Sequence, residues 1–140
     1  MQAITLLGST GSIGTSALSV IARHPQRYRV VALSAHARVD SLVQQCLRFR
    51  PAYAVLSDAR DAERAHRRLR DAGCECTVLS GQEGLRRVAA LPEADVVVAG
   101  IVGAAGLASS LAAVEAGKRV LLANKEALVM AGKVFVAAVR

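Results

Sequence analysis

Along the chain, short and largely apolar runs alternate with longer stretches in which apolar residues return every third or fourth position. The short runs are residues 3–7, 28–33, 53–56, 77–79, 95–99 and 119–123. Their length and their Val, Leu, Ile and Ala content suit parallel strands buried on both faces. The longer stretches have helical spacing. Ile13, Ala17, Val20, Ile21 and His24 form one stripe, and Val39, Leu42, Val43, Cys46 and Leu47 form another, closed by Arg50-Pro51. Asp58 is placed to cap a helix that runs to Ala72 and stops at Gly73. Further helices are predicted over 82–90, through Leu107, Leu111 and Val114 as far as Gly117, and from about Ala127 onward. Strand and helix alternating with short connections predict a parallel sheet covered on both faces.

The connections that join strand to helix are not alike. After the first strand comes Gly8-Ser9-Thr10-Gly11-Ser12-Ile13-Gly14, a G-x-x-G-x-x-G spacing rather than G-x-G-x-x-G. A strand-to-helix turn calls for glycine to reach unusual dihedrals, to let backbone approach a ligand and to pack helix close to strand. The helix that follows offers unpaired N–H groups and its positive dipole end to a phosphate, with the hydroxyls of Ser9, Thr10 and Ser12 as additional donors. Gly100-Ile101-Val102-Gly103-Ala104-Ala105-Gly106 repeats the strand, glycine run and helix order. With this turn in place, the expected fold is a Rossmann-like, doubly wound α/β domain occupying residues 1–140, with no linker or internal boundary.

Composition narrows the picture. Apolar residues make up 53% of the 140 and aromatics only 3%, as layered helices and strands require. The net charge of +7, nearly all arginine, admits anionic partners without choosing among them. Arg60, Arg64, Arg67, Arg68 and Arg70 are interleaved with Asp61, Glu63 and Asp71, which marks a solvated helix face more than a nucleic-acid surface. Phe49, Phe135, Tyr28 and Tyr53 are scattered and supply no stacking platform, so no nucleic-acid partner is expected. Residues 96–114 carry no charge, but their glycines and serines and the flanking strand–helix pattern argue against a membrane span. The start lacks a basic n-region and its apolar run is better used as a strand, so a cytoplasmic chain is expected. Cys46, Cys74 and Cys76 fit neither a redox C-x-x-C nor half a zinc site, and read as reduced thiols.

Two more candidate loops lie at the carboxyl ends of strands, where open parallel sheets bind ligands. In Ser34-Ala35-His36-Ala37-Arg38, the position about twenty residues past the glycine turn holds no carboxylate for a ribose 2′-hydroxyl. That points to NADP rather than NAD, with Arg38, assisted by His36, facing the 2′-phosphate. Asn124-Lys125-Glu126 places an amide, an ammonium and a carboxylate side by side, suited to a ribose, phosphate or carbonyl. No carboxylates cluster with histidine near these loops, so no metal ligands are assigned in this chain, and no Ser-His-Asp or Cys-His set can be assembled.

Three motifs together, Gly8 to Gly14, Ala99 to Leu107, and Leu121-Leu122-Ala123-Asn124-Lys125-Glu126-Ala127-Leu128-Val129, resemble the 1-deoxy-D-xylulose 5-phosphate reductoisomerase family. The resemblance spans the whole chain but only that family's amino-terminal NADPH-binding domain. It implies an enzyme that rearranges its sugar phosphate and reduces the resulting aldehyde with NADPH to 2-C-methyl-D-erythritol 4-phosphate, on the non-mevalonate route to isoprenoids. By motif, Thr10, Gly11, Ser12 and Ile13 would hold the cofactor's phosphates, Asn124 and Glu126 would contact NADPH, and Lys125 would bind the sugar-phosphate substrate. Where many members have Gly-Lys-Asn, this chain has His36-Ala37-Arg38, which leaves the cationic role to Arg38. The resemblance also implies a homodimeric parent enzyme whose divalent metal (Mg, Mn or Co) is held by acidic residues outside this chain. The chain alone would bind cofactor without catalysis, and an apolar surface is expected where the remainder docks. Two alternatives remain at this point: a fragment of a homoserine-dehydrogenase-like NADP enzyme, which has a similar strand-end Asn-Lys, and a non-catalytic NADP sensor.

Overall fold

The computed structural model describes residues 1–100 and 103–122. Six strands and five helices alternate without exception: β1 Gln2–Leu7, α1 Ser12–Arg23, β2 Tyr28–Ala35, α2 Val39–Phe49, β3 Tyr53–Leu56, α3 Ala59–Asp71, β4 Thr77–Ser80, α4 Gly81–Ala89, β5 Val96–Ala99, α5 Gly103–Glu115 and β6 Arg119–Leu122. All pairings are parallel, in the order β4-β3-β2-β1-β5-β6. The chain therefore winds outward from β1 through β2 to β4, returns, and winds the other way through β5 and β6. The doubly wound expectation holds. The predicted helix from Ala127 lies outside the described residues.

Two apolar layers hold the sheet. Leu18 and Ile21 of α1, Leu42, Val43 and Cys46 of α2, and Ala62, Ala65 and Leu69 of α3 pack with Ile4, Leu6, Leu33, Ala54 and Leu56 on one face. Leu85, Val88 and Ala89 of α4 and Ala113 of α5 pack with Ala3, Leu7, Val55 and Val97 on the other. A right-handed crossover places helices this way: outward winding fills one face and the reversed winding fills the opposite one. The buried Thr5 hydroxyl donates to the Val88 carbonyl at 3.0 Å, so the one polar side chain at the centre of β1 is satisfied. At the amino edge of the sheet, Asp95 ties β1 to β5: its carboxylate accepts from the Ala3 amide at 2.9 Å, and its own amide donates to the Ala3 carbonyl at 2.8 Å.

One irregularity matters for the site. The β1–β2 register runs Ile4 to Val30 and then Thr5 to Ala32, leaving Val31 as an extra residue. Alternation is reset there, so Val31 and Ala32 both join the α4–α5 side while Val30 and Leu33 join the α1–α3 side. The strand also runs two residues further than its apolar run, so Ser34 and Ala35 belong to β2 and the loop itself is only His36 to Arg38.

Candidate functional site at the mouth of the sheet

β1 and β5 are neighbours whose onward connections leave in opposite directions, and between them opens the crevice that this topology provides. The first glycine turn sits there. Gly8 has φ 78°, a left-handed conformation that favours glycine. Gly14 is required for a different reason: a Cβ on it would stand 2.3 Å from the Gly8 carbonyl oxygen and 2.5 Å from Ser9 Cα. Gly11 meets neither demand. It caps α1 with φ −78° and ψ 175°, ordinary extended values, and a Cβ there would only touch the Gly8 oxygen at 3.7 Å. The fold does not need glycine at position 11.

The cap has no side chain to offer, and the first turn of α1 holds no acidic residue. The amides of Ser12, Ile13 and Gly14 are those that helix geometry leaves without an intrahelical acceptor. They present partial positive charge at an exposed surface, since Gly11, Ser12 and Ile13 are all solvent-facing. Ile13 is 43% exposed and gives the mouth an apolar flank.

The turn is braced from below by β2 and α2. Gly8 donates its amide to Ser34 Oγ at 2.9 Å, and the Ser9 amide donates to the Ser34 carbonyl at 2.7 Å. Ser9 Oγ donates within reach of both the Ser34 carbonyl (3.1 Å) and Gln45 Oε1 (2.6 Å), and Gln45 Nε2 donates back to the Ser9 carbonyl at 2.9 Å. Ser9 is fully buried. Its hydroxyl is consumed by this network, which corrects the expectation that it would serve a ligand. Ser34 and Gln45 are the braces that sequence reasoning left out. The one signal was their polarity: Ser34 in an otherwise apolar strand, and Gln45 between the core positions Leu42, Val43 and Cys46.

Of the loop after β2, Arg38 reaches the glycine turn, its Nη1 lying 3.5 Å from the Thr10 carbonyl. The His36 ring instead pairs Nδ1 with Ser57 Oγ at 2.8 Å, at the end of β3. Both side chains are exposed at the carboxyl edge, Arg38 nearer the turn. The second glycine run starts beside the first: the Gly100 amide donates to the Leu7 carbonyl at 2.9 Å, and a Cβ on Gly100 would come within 3.1 Å of that oxygen. Asn124, Lys125 and Glu126 lie outside the described residues. A groove of about 550 Å³ between α1 and α2, lined by Thr15, Ser19, Arg23, Gln45, Arg48 and Phe49, lies behind the turn and does not include the first-turn amides. Among the described residues no cluster of His, Cys, Asp or Glu could hold a metal ion, and no helix is long and apolar enough to cross a membrane.

A doubly wound parallel sheet with a bare helix N-terminus at its switch point defines a Rossmann-like domain. The particular family follows from comparison. The family model of 1-deoxy-D-xylulose 5-phosphate reductoisomerase matches residues 4–132, and the chain belongs to that family. It is 59% identical over 140 residues to the reductoisomerase of Pseudomonas putida (strain W619), covering all of this chain and 35% of that protein. The corresponding protein of Paraburkholderia xenovorans (strain LB400) is 61% identical over 137 residues, covering 98% of this chain and 34% of its own length. A crystal structure of DOX-P reductoisomerase in complex with NADPH, fosmidomycin and magnesium superimposes with a TM-score of 0.95 at 47% identity, covering 99% of this chain and 34% of that one. The enzyme from Zymomonas mobilis in complex with NADPH gives 0.92 at 40% identity, covering 99% and 36%. The chain thus spans about a third of the length of these relatives. Neither the homoserine-dehydrogenase-like nor the sensor alternative finds support in these matches.

Proposed function

We propose that this chain is the NADPH-binding domain of a reductoisomerase that converts 1-deoxy-D-xylulose 5-phosphate to 2-C-methyl-D-erythritol 4-phosphate. The observation that carries the reading is Gly11. A residue that the fold leaves free to be anything is glycine at the one point where a pyrophosphate must approach the bare end of α1. Thr10, Gly11, Ser12 and Ile13 would receive the phosphates through backbone amides, and the absence of a first-turn carboxylate leaves that charge unopposed. Arg38, with His36 beyond it, would take the 2′-phosphate. Asn124 and Glu126 would contact the cofactor and Lys125 the sugar phosphate, by their motif. Bound there, NADPH supplies hydride for reduction of the rearranged aldehyde, while this chain binds and orients it. The divalent metal, ligated by acidic residues outside this chain, belongs to the remainder of the enzyme. The reading brings with it a cytoplasmic homodimer working on the non-mevalonate route.

Titration of the chain with both reduced cofactors tests the proposal. NADPH is expected to bind in the micromolar range or more weakly, with NADH clearly worse. Arg38→Ala should cost NADPH about tenfold in affinity, the loss of one charge-assisted contact of about 1.5 kcal/mol, and leave NADH unchanged. Equal affinities for the two cofactors in the unsubstituted chain would remove Arg38 from its role, and no binding of either would end the reading.

A further inference from the structure

The backbone amides of the glycine turn are not equally occupied. Those of Gly8 and Ser9 are spent on Ser34, and that of Gly11 leans on the Gly8 carbonyl at 3.3 Å. The Thr10 amide finds no acceptor among the described residues, and Thr10 is half-buried. One unspent donor in a turn whose other amides are engaged is free for a ligand.

The direction of that amide is set from α2. The Ser9 carbonyl can only accept, so the Gln45 side chain must present Nε2 to it, at 2.9 Å, and Oε1 to the Ser9 hydroxyl, at 2.6 Å. The peptide joining Ser9 to Thr10 is planar and trans, so its N–H points opposite to its C=O. With the carbonyl drawn to α2, which stands over β2 and β3, the Thr10 N–H is turned the other way, toward the crevice between β1 and β5. The next peptide is held from the same helix: Arg38, the N-cap of α2, brings Nη1 to 3.5 Å from the Thr10 carbonyl. Arg38 and Gln45 are seven positions apart, two helical turns, and so share one side of α2. A single helix fixes both peptide planes that meet at Thr10.

We infer that Gln45 is a positioning residue for the cofactor: it holds the Ser9 carbonyl back so that the Thr10 amide faces the pyrophosphate, beside the first-turn amides of α1. The inference rests on the NADPH reading and adds to it a residue that acts through Ser9 and not by contact with the ligand. Packing alone does not call for an amide at this place, because Leu42, Val43 and Cys46 already supply the apolar side of α2. Without the Gln45 amide the 9–10 peptide is free to rotate, and the pyrophosphate loses one oriented donor.

Gln45→Met keeps a side chain of similar length and removes both hydrogen bonds. The folded variant is titrated with NADPH and with adenosine 2′-phosphate, which reaches Arg38 but carries no pyrophosphate. NADPH affinity is expected to fall about tenfold, as loss of a hydrogen bond to a charged group does, while adenosine 2′-phosphate stays within about twofold. An equal fall for both ligands would mean that Gln45 serves the fold alone and would overturn the inference, as would an unchanged NADPH affinity. In the unsubstituted chain the Thr10 amide proton should move downfield on saturation with NADPH. A Thr10 resonance that stays in place overturns the inference even if Gln45→Met does not fold. Crystals of the variant should show the 9–10 peptide turned from its present direction, a result that needs no ligand, and an unmoved peptide again counts against Gln45. If the unsubstituted chain binds no NADPH, the cofactor reading falls, while the peptide direction in those crystals still decides whether Gln45 sets it.

Discussion

Gly11 and Gly14 sit three residues apart in one turn and are glycine for unrelated reasons, so substitution should separate them. Gly14→Ala places a methyl group where the Gly8 oxygen and Ser9 backbone already are, with no flexible side chain to give way. It should cost about 1–3 kcal/mol, by the usual penalty for overpacking, and appear as a lower denaturant midpoint. Gly11→Ala meets only an ordinary contact in ordinary dihedrals. It should leave the midpoint unchanged, or raise it by up to about 1 kcal/mol through the unfolded chain, while NADPH titration shows binding lost. Equal loss of stability in both variants would mean that position 11 serves the fold and not a ligand. The glycines were legible in sequence as a set; their division of labour was not, because it depends on which backbone atoms α1 meets. Ser9 shows the same limit. Its hydroxyl looked available until the fold brought Ser34 and Gln45, from distant stretches, to claim it.

At the scale of elements, every strand and helix among the described residues was readable, most from runs and spacing of apolar residues and α3 from its stop at Gly73 and its cap, where Asp58 does accept from the Arg60 amide at 2.7 Å. Such signals are local, and parallel strands buried on both faces give an unbroken apolar run. What spacing cannot report is register. The bulge at Val31 exists only in the pairing of β2 with β1, and the extension of β2 through Ser34 and Ala35 rests on their pairing with Val55 and Leu56 of β3. Deletion of Val31 would therefore restore unbroken alternation, with Ile4 still opposite Val30 and Thr5 still opposite Ala32, and would leave Leu33 and Ala35 on their own face. Val31→Ala removes buried apolar volume without touching the register, and should retain the cooperative thermal transition by circular dichroism with a stability lower by about 1–2.5 kcal/mol.

For the molecule as a whole, charge and topology cooperate. The net charge of +7 is distributed over many arginines, and some are paired on the helices, as Arg67 is with Glu63 at 4.0 Å and Arg68 of α3 is with Asp40 of α2. A basic field around an anion-binding mouth should raise the association rate for NADPH and make it sensitive to salt. Stopped-flow binding should slow as ionic strength rises from about 0.01 to 0.15 M, where the Debye length shrinks from about 30 to 8 Å. The sheet also sorts its tasks by edge: the glycine turns and Arg38 lie where strands end, and the Asp95 tie lies where they begin. Because parallel winding returns every connection to that beginning edge, foreign sequence grafted between Pro25 and Gln26, both exposed, would hang on the side away from the nucleotide. A fluorescent reporter placed there should leave cofactor titrations unaltered, which makes the far rim a natural handle for immobilising or labelling the domain without touching its mouth.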